Sequence, residues 1–376
     1  MEMMRKAIIH AIELSTKMSS TNHKQTIIDA LDILRKRDVA DKAVFSARAY
    51  AKVITQLKNY EGPIVTYDDV KNIDGIGAKM EKKIKEILET GSLAAAEKAK
   101  TLYNIDALDA LQKIYGVGPT KATDLVKSGI TSIQQLRDEV KNNPKLLNDK
   151  QKIGLKYYED LLERIPRNEM EEHRDILDAL KPVEMEDYET EIVGSFRREA
   201  ANSGDIDVLI RVPADTDSKT AKENLALYVK MLEGFGYIEE ILALGEHKCM
   251  AISKIDEELQ TELNNKNYMA IGRMYNGKAR RLDLLMTPDE EYAYAILYFT
   301  GSDIFNVAFR TYCENKGYKL NEHTLTPIRA GVPTVPYMKT EKDIFKFLGL
   351  RYIDPSKRVD GNQIIPIKSR PKVASN

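Results

Sequence analysis

The segment Ile192-Val-Gly-Ser-Phe-Arg-Arg-Glu-Ala-Ala-Asn-Ser-Gly-Asp-Ile-Asp-Val-Leu-Ile210 constrains this chain more than any other. A Gly-Ser turn, Gly194-Ser195, precedes an apolar run that carries Asp205 and Asp207. The run from Asp205 to Val212 predicts a strand. Alternate strand residues share a face, so the two carboxylates project together while Ile206, Val208 and Ile210 face a core. Side-by-side carboxylates repel and need a counter-ion, which a hard cation such as Mg2+ supplies. The turn offers backbone N–H groups and a hydroxyl for a phosphate. An acidic pair alone reads as a solvated strand face. The Gly-Ser turn, Arg197-Arg198 and the apolar strand turn the reading toward nucleotidyl transfer.

A third carboxylate is expected from a neighbouring strand. Gly272 to Met286 reads as a hairpin about Asn276-Gly277, and Asp283 in its second arm is the natural candidate. Arg281, Asp283 and Leu285 would share one face, and Leu282, Leu284 and Met286 the other. The blander reading of Asp283 is a strand acid paired with Arg280 or Arg281. Three carboxylates can hold two Mg2+ ions. One would activate a 3′-hydroxyl with Asp283 as ligand and proton acceptor; the other would hold a triphosphate through Asp205 and Asp207. Arg198 and Arg164 are the expected donors to the developing phosphate charge.

Residues 24–165 read as almost wholly helical, with strands from about residue 188, beginning with Tyr188 to Val193. The charged stretch Asp256 to Lys266 is expected to loop out and the segment from Ser356 to fray; Met1 to Met18 is mildly amphipathic without a signal-peptide pattern. One internal repeat stands in the helical half: Ile73-Asp-Gly-Ile-Gly-Ala-Lys-Met and Tyr115-Gly-Val-Gly-Pro-Thr-Lys-Ala. Gly75, Gly77, Gly116 and Gly118 form hairpins between helices, each followed by a lysine, Lys79 or Lys121. Such turns let backbone approach a phosphate and aim the next helix N-terminus at it, reading DNA without sequence preference. That matters because the net charge is −1, so nucleic-acid binding must be local. Two cysteines, Cys249 and Cys313, fit a reducing compartment, the five histidines form no zinc pattern, and no apolar run is long enough for a membrane span. Lys79 and Lys83 fall on one helix face. On residues alone that run reads as a solvated Lys/Glu helix.

These motifs together resemble the family X DNA polymerases, and among them the beta type most, from about residue 26 to 355. The matching segments are Gly194-Ser-Phe-Arg-Arg198, Ser203-Gly-Asp-Ile-Asp207, Arg281-Leu-Asp283 and Tyr298-Phe-Thr-Gly-Ser-Asp-Ile-Phe-Asn306. Ile153-Gly-Leu-Lys-Tyr157, Arg164-Ile-Pro-Arg167 and Glu341-Lys-Asp-Ile-Phe345 join them in family order. The resemblance implies an α+β multidomain chain: an extension (1–23), a helical 5′-deoxyribose-phosphate lyase domain with the first hairpin (24–100), and helical fingers with the second (101–166). A mixed-sheet palm (167–289), an α+β thumb (290–355) and a flexible tail (356–376) follow.

By family position, Arg164, Ser195, Arg198, Ser203 and Gly204 would contact the triphosphate. Tyr298, Phe299 and Gly301 would crowd the sugar, and Asp303 and Asn306 would line the base pocket and minor groove. Arg281 and Arg310 would contact DNA, and Glu322 would support a closed state. Lys83 would be the Schiff-base nucleophile and Lys79 a phosphate contact, with Tyr50, Lys52 and Lys71 nearby. Main-chain carbonyls of Lys71, Ile73 and Ile76, and of Gln112, Ile114 and Val117, would hold a monovalent cation, Na+ or K+. Hairpins touching phosphate without a cation read equally well from the residues.

The resemblance implies a monomeric gap-filling enzyme of base excision repair. It would act on gapped or nicked duplex DNA with deoxyribonucleoside triphosphates, beside repair proteins and away from membranes. A nuclear setting is expected, with a viral or organellar one as alternative. Four departures stand out. A basic residue of the 5′-phosphate pocket is Ser46 here, beside Phe45; a glycine is Glu199; an arginine two residues after the third aspartate is Leu285; a template-side lysine is Val307. The Leu285 change is expected to remove an ion pair to that aspartate. A terminal transferase is disfavoured because its relatives carry Gly-Trp where this Trp-free chain has Thr300-Gly301. A DNA-end scaffold is disfavoured because an unused acidic triad would burden stability.

Overall fold

The computed structural model describes residues 21–266 and 277–367, and the chain divides into two units, through Leu155 and from Lys156. The stretch Met1 to Met18, the arm from Gly272 to Asn276 and the last residues of the tail, from 368, lie outside the described residues.

The first unit is helical because its apolar residues recur at three- and four-residue spacing. Ile27, Leu31 and Leu34 of the Lys24–Ala40 helix meet Val53 and Leu57 of Val44–Asn59, and Ile84 and Ile87 of Ala78–Thr90. All seven are fully buried, each stabilising the fold by about 1.5–3 kcal/mol relative to exposure. Helices Ile105–Gln112, Pro119–Lys127, Ile133–Asn142 and Asp149–Lys156 complete the stretch.

In the second unit the period changes. Its strands are β1 (Ile165–Pro166), β2 (Glu189–Ile192), β3 (Asn202–Ser203), β4 (Ile206–Val212), β5 (Ile238–Leu244), β6 (Lys248–Ser253), β7 (Arg280–Pro288), β8 (Tyr318–Leu320) and β9 (Leu325–Pro327). A five-stranded mixed sheet runs in the order β2-β4-β7-β6-β5, with β4 and β7 parallel and the other neighbours antiparallel. Ile206, Val208 and Ile210 join Leu282, Leu284 and Met286 in one core with the helices Arg167–Ala179 and Ser218–Gly234. The opposite face packs Leu209 and Leu285 under Tyr292, Ala295 and Ile296 of the helix Asp289–Thr300. The acidic positions of β4 and β7 belong to this second face, where the helix leaves the strand ends uncovered. Beyond it, the helices Asp303–Lys316 and Glu341–Phe347 and the β8–β9 hairpin enclose Phe305, Phe309, Tyr318 and Phe345. Among the described residues no helix is long and apolar enough to cross a membrane.

Two expectations are corrected. The charged stretch after Asp256 is a helix, Glu257–Asn265; Asp256 caps it by accepting from the Leu259 amide at 3.0 Å, and Leu259 and Leu263, one turn apart, enter the core. The segment from Ser356 does not fray at once. Arg358, 1% exposed, bonds Glu341 at 2.9 Å and the Ile353 carbonyl, and Ile367 donates its amide to Gly349.

Candidate active site

The parallel pairing of β4 and β7 sets Asp207 directly beside Asp283. Asp205 stands one residue ahead of β4, on the same face by the two-residue period. Burial, and then the neighbouring Asp283, push the Asp207 carboxyl up to about 6, against the pull of Lys248. Asp283 is 6% exposed. Its Oδ2 accepts from Lys248 Nζ at 2.8 Å, while its buried Oδ1 has no hydrogen-bond partner. Asp205 is paired with Arg281, whose Nε lies 3.8 Å from Asp283 Oδ1. Arg280 points to the other core and pairs with Glu169 at 2.6 Å. Asp205 and Asp283 are thus held by side-chain cations, and among the described residues no three His, Cys, Asp or Glu side chains converge as a metal cluster. The donor set nevertheless fits a hard divalent cation: carboxylate oxygens, one of them buried and unpartnered, beside a second acid that repels it.

The cleft beside the acids, about 360 Å³, is lined by Gly194, Arg198, Asp207, Tyr298, Phe299, Gly301, Asp303, Asn306, Val307 and Arg310. Arg198 donates to the Thr300 carbonyl at 2.5 Å, tying the Gly194–Arg197 helix to the turn at Gly301. Gly301 has φ +68°, and a Cβ there would come 3.1 Å from Arg198 Nη1. Asn306 Nδ2 donates to the Tyr298 carbonyl at 2.7 Å, and the Tyr298 and Phe299 rings meet edge to face at 5.2 Å. Ser195, Ser203, Gly204 and Arg164 form an adjoining group outside that lining. Ser195 Oγ donates to Ser203 Oγ at 3.0 Å; Arg164, held by Asn202, stands over Gly204. Glu322 lies between β8 and β9 beside His323, away from the cleft lining.

In the helical unit, a cleft of about 390 Å³ is lined by Ser46, Tyr50, Gly75, Gly77, Lys79 and Lys83, among others. Lys83 Nζ donates to the Lys79 carbonyl at 3.2 Å, one turn back on the helix. Lys52 and Lys71 stand outside the lining, in ion pairs with Asp74 and Asp68. The two hairpins share their bonding: Ile76 N donates to Ile73 O at 3.1 Å, and Val117 N to Ile114 O at 3.0 Å. Gly75 (φ +96°) and Gly116 (φ +80°) make the turns, and the buried Gln151 donates to the Gly116 carbonyl. Gly77 and Gly118 cap the next helices without side-chain bonds, and nothing lies within 4 Å of a Cβ placed on either. The Gly77 amide donates to the Gly75 carbonyl at 3.2 Å, so the amides offered to a ligand are those of the first turns of the helices that follow. Among the cation-binding carbonyls expected from Lys71, Ile73, Ile76, Gln112, Ile114 and Val117, those of Ile73 and Ile114 each accept a turn bond.

Four family models match along the chain: a helix-hairpin-helix domain (residues 22–93), the fingers domain of DNA polymerase lambda (109–162), the DNA polymerase beta palm (164–289) and the DNA polymerase beta thumb (295–359). The chain belongs to the family X DNA polymerases. It is 29% identical to DNA polymerase lambda of Rattus norvegicus over 91% of this chain and 57% of that protein. It is also 29% identical to DNA polymerase lambda of Arabidopsis thaliana, over 85% and 58%, and 27% identical to DNA nucleotidylexotransferase of Gallus gallus, over 93% and 70%. The chain spans under three fifths of the length of the two lambda relatives.

The family frame gives the departures physical content. Glu199 has φ +61°, a left-handed backbone that glycine adopts freely and glutamate does not. Ser46 donates to Asp38, 4% exposed, so its hydroxyl is committed to a buried acid, and the cations lining its cleft are Lys79 and Lys83. Leu285 packs into the apolar face, and the Asp283 ion pair is made all the same: Lys248, directly across from Leu285 on β6, supplies the cation. Leu285 itself can make no ion pair; the one to Asp283 comes from a different strand. Arg197, read in the sequence only beside Arg198, and Arg358, not singled out there, clamp the buried Glu341 at 3.0 and 2.9 Å.

Proposed function

We propose that this family X polymerase fills short gaps in duplex DNA, adding template-directed deoxyribonucleotides to a primer 3′-hydroxyl, and that its helical unit removes the 5′-deoxyribose phosphate. The observation that carries the first part is the cleft whose lining runs from Gly194, Arg198 and Asp207 to Tyr298, Phe299, Gly301 and Asn306. It joins the Gly194 turn, Asp207 of the acidic site and an aromatic wall in one space. Asp205, Asp207 and Asp283 would hold the divalent cations, and Asp283 would take the proton of the primer hydroxyl. Divalent cations held there supply Lewis-acid activation of the hydroxyl and neutralise the triphosphate. Arg198, Arg164 and the hydroxyls of Ser195 and Ser203 orient the phosphates. Tyr298 and Phe299 fill the volume a 2′-hydroxyl needs; Asp303, Asn306 and Arg310 meet the nascent pair.

In the lyase reaction, the Lys83 amine adds to C1′ of the open-chain sugar and the adduct loses water to give an imine; loss of a C2′ proton then breaks the C3′–O bond, freeing the DNA strand with its 5′-phosphate, and hydrolysis of the imine returns Lys83 and the sugar phosphate. Lys79 and Tyr50 share its cleft, which supports the reading. Ser46 weakens grip on the 5′-phosphate without removing the nucleophile. The hairpins hold backbone phosphate, with a monovalent cation between carbonyls and DNA. The division into lyase, fingers, palm and thumb, a monomeric state, a nuclear setting and a place in base excision repair belong to the same proposal.

Primer extension on one-nucleotide-gapped DNA, with and without a 5′-phosphate, tests it. Incorporation of the complementary nucleotide, little gained from the 5′-phosphate, and none without template are expected. Template-free addition would instead favour a terminal transferase. Borohydride trapping on an abasic substrate should vanish in Lys83→Ala; undiminished trapping would move the nucleophile elsewhere.

A further inference from the structure

Asp283 is the most buried of the three acids, and half of its carboxylate is satisfied from a different strand. Lys248 opens β6; the register sets it across from Leu285 and sets Met250 across from Asp283. Residues 248 and 250 therefore share the face of 283 and 285, and Lys248 reaches Asp283 along the diagonal. Its Nζ sits 2.8 Å from Asp283 Oδ2, while its side chain is 42% exposed. A flexible, half-solvated ammonium can leave such a contact for water at little cost. Asp283 cannot follow it, being 8% exposed in its side chain and fixed in the middle of a sheet. Once Lys248 departs, Asp283 keeps only Arg281 Nε, 3.8 Å from Oδ1, not hydrogen-bonded to it and shared with Asp205; Oδ2 is bared with Asp207 beside it, an arrangement that an added cation relieves.

We propose that Lys248 is a tethered counter-ion of the metal site: it neutralises Asp283 in the ligand-free enzyme and must withdraw before a divalent cation takes that carboxylate. The proposal rests on the reading of Asp205, Asp207 and Asp283 as metal ligands. Lys248 is a positioning residue, acting through Asp283 rather than on substrate. Its exposure makes the exchange reversible, and the strand pairing makes it local, with no need for a domain motion.

Mn2+ binding to the DNA-free full chain, followed by electron paramagnetic resonance, tests it. Wild type is compared with Lys248→Met, Lys248→Gln and Lys248→Arg, and with the Asp205→Ala/Asp207→Ala double variant; folding of each is checked by thermal melting. Lys248→Met and Lys248→Gln should each tighten Mn2+ binding about tenfold, since a unit charge a few ångströms away is removed. Lys248→Arg should stay near wild type. The Mg2+ concentration giving half-maximal incorporation should fall in the same ratio. If wild type binds Mn2+ through the aspartates and the neutral variants bind it no more tightly, the Lys248 proposal is wrong and the triad stands. If the double variant binds Mn2+ as wild type does, both are overturned.

Discussion

At Glu199 the backbone bears a cost that its side chain does not return. The residue is exposed, has φ +61°, and ends the short helix Gly194–Arg197 by donating its amide to Phe196 at 2.9 Å. A left-handed non-glycine residue costs about 1–2 kcal/mol, and glycine gives part of this back through its freer unfolded chain. Glu199→Gly should therefore raise the denaturation free energy by about 0.5–1 kcal/mol; an unchanged or lower value in a urea melt would show that the turn is not strained. Glu341 is the opposite case. Burial raises its carboxyl, but Arg358 and Arg197 prevail and hold it down to about 2. Its folded value lies below the ordinary 4.5 of a glutamate, so its contribution is complete above that pH and is lost as the pH falls toward 2. The shift corresponds to a contribution on the order of 3 kcal/mol. Glu341→Gln should lower stability at neutral pH and flatten its decline in acid; an acid profile parallel to wild type would contradict the pairing.

At the scale of elements, each hairpin separates two uses of glycine. Gly75 and Gly116 make the turn, so alanine at either should cost about 1–2 kcal/mol of stability. Gly77 and Gly118 face open space in an extended conformation, so valine at both should cost less than about 1 kcal/mol each. Valine at both should nonetheless weaken DNA binding about tenfold by standing between the amides and a phosphate. Gapped-DNA titrations beside thermal melts give both numbers; unchanged DNA affinity would remove the hairpins from the interface. The repeat was legible because its glycines carry the information locally, as were the β4 and β7 faces, whose apolar and acidic residues alternate. Lys248 was not, because strand register between β6 and β7 is set by the whole sheet. The Glu257–Asn265 helix was obscured by its charges, although Asp256, Leu259 and Leu263 carry its cap and buried stripe. Arg358 read as tail because a lone arginine announces no partner; the fold closes it onto Glu341.

Across the whole molecule, a net charge of −1 leaves no global attraction to DNA. Affinity must come from local amides, lysines and arginines, and should fall as salt rises. The second unit gathers the polymerase candidates: β4 and β7 bring Asp207 and Asp283 together, and the helix Asp289–Thr300 carries Tyr298 and Phe299 to the same cleft. The acids are otherwise a burden, a buried Asp283 beside a half-buried Asp207 and a third held by Arg281. A chain that did not use them would be more stable with apolar residues there. Single-nucleotide incorporation by Asp283→Ala on gapped DNA, measured beside its DNA affinity, tests this most directly. The account predicts that incorporation is abolished while DNA binding persists; incorporation at the wild-type rate would contradict it.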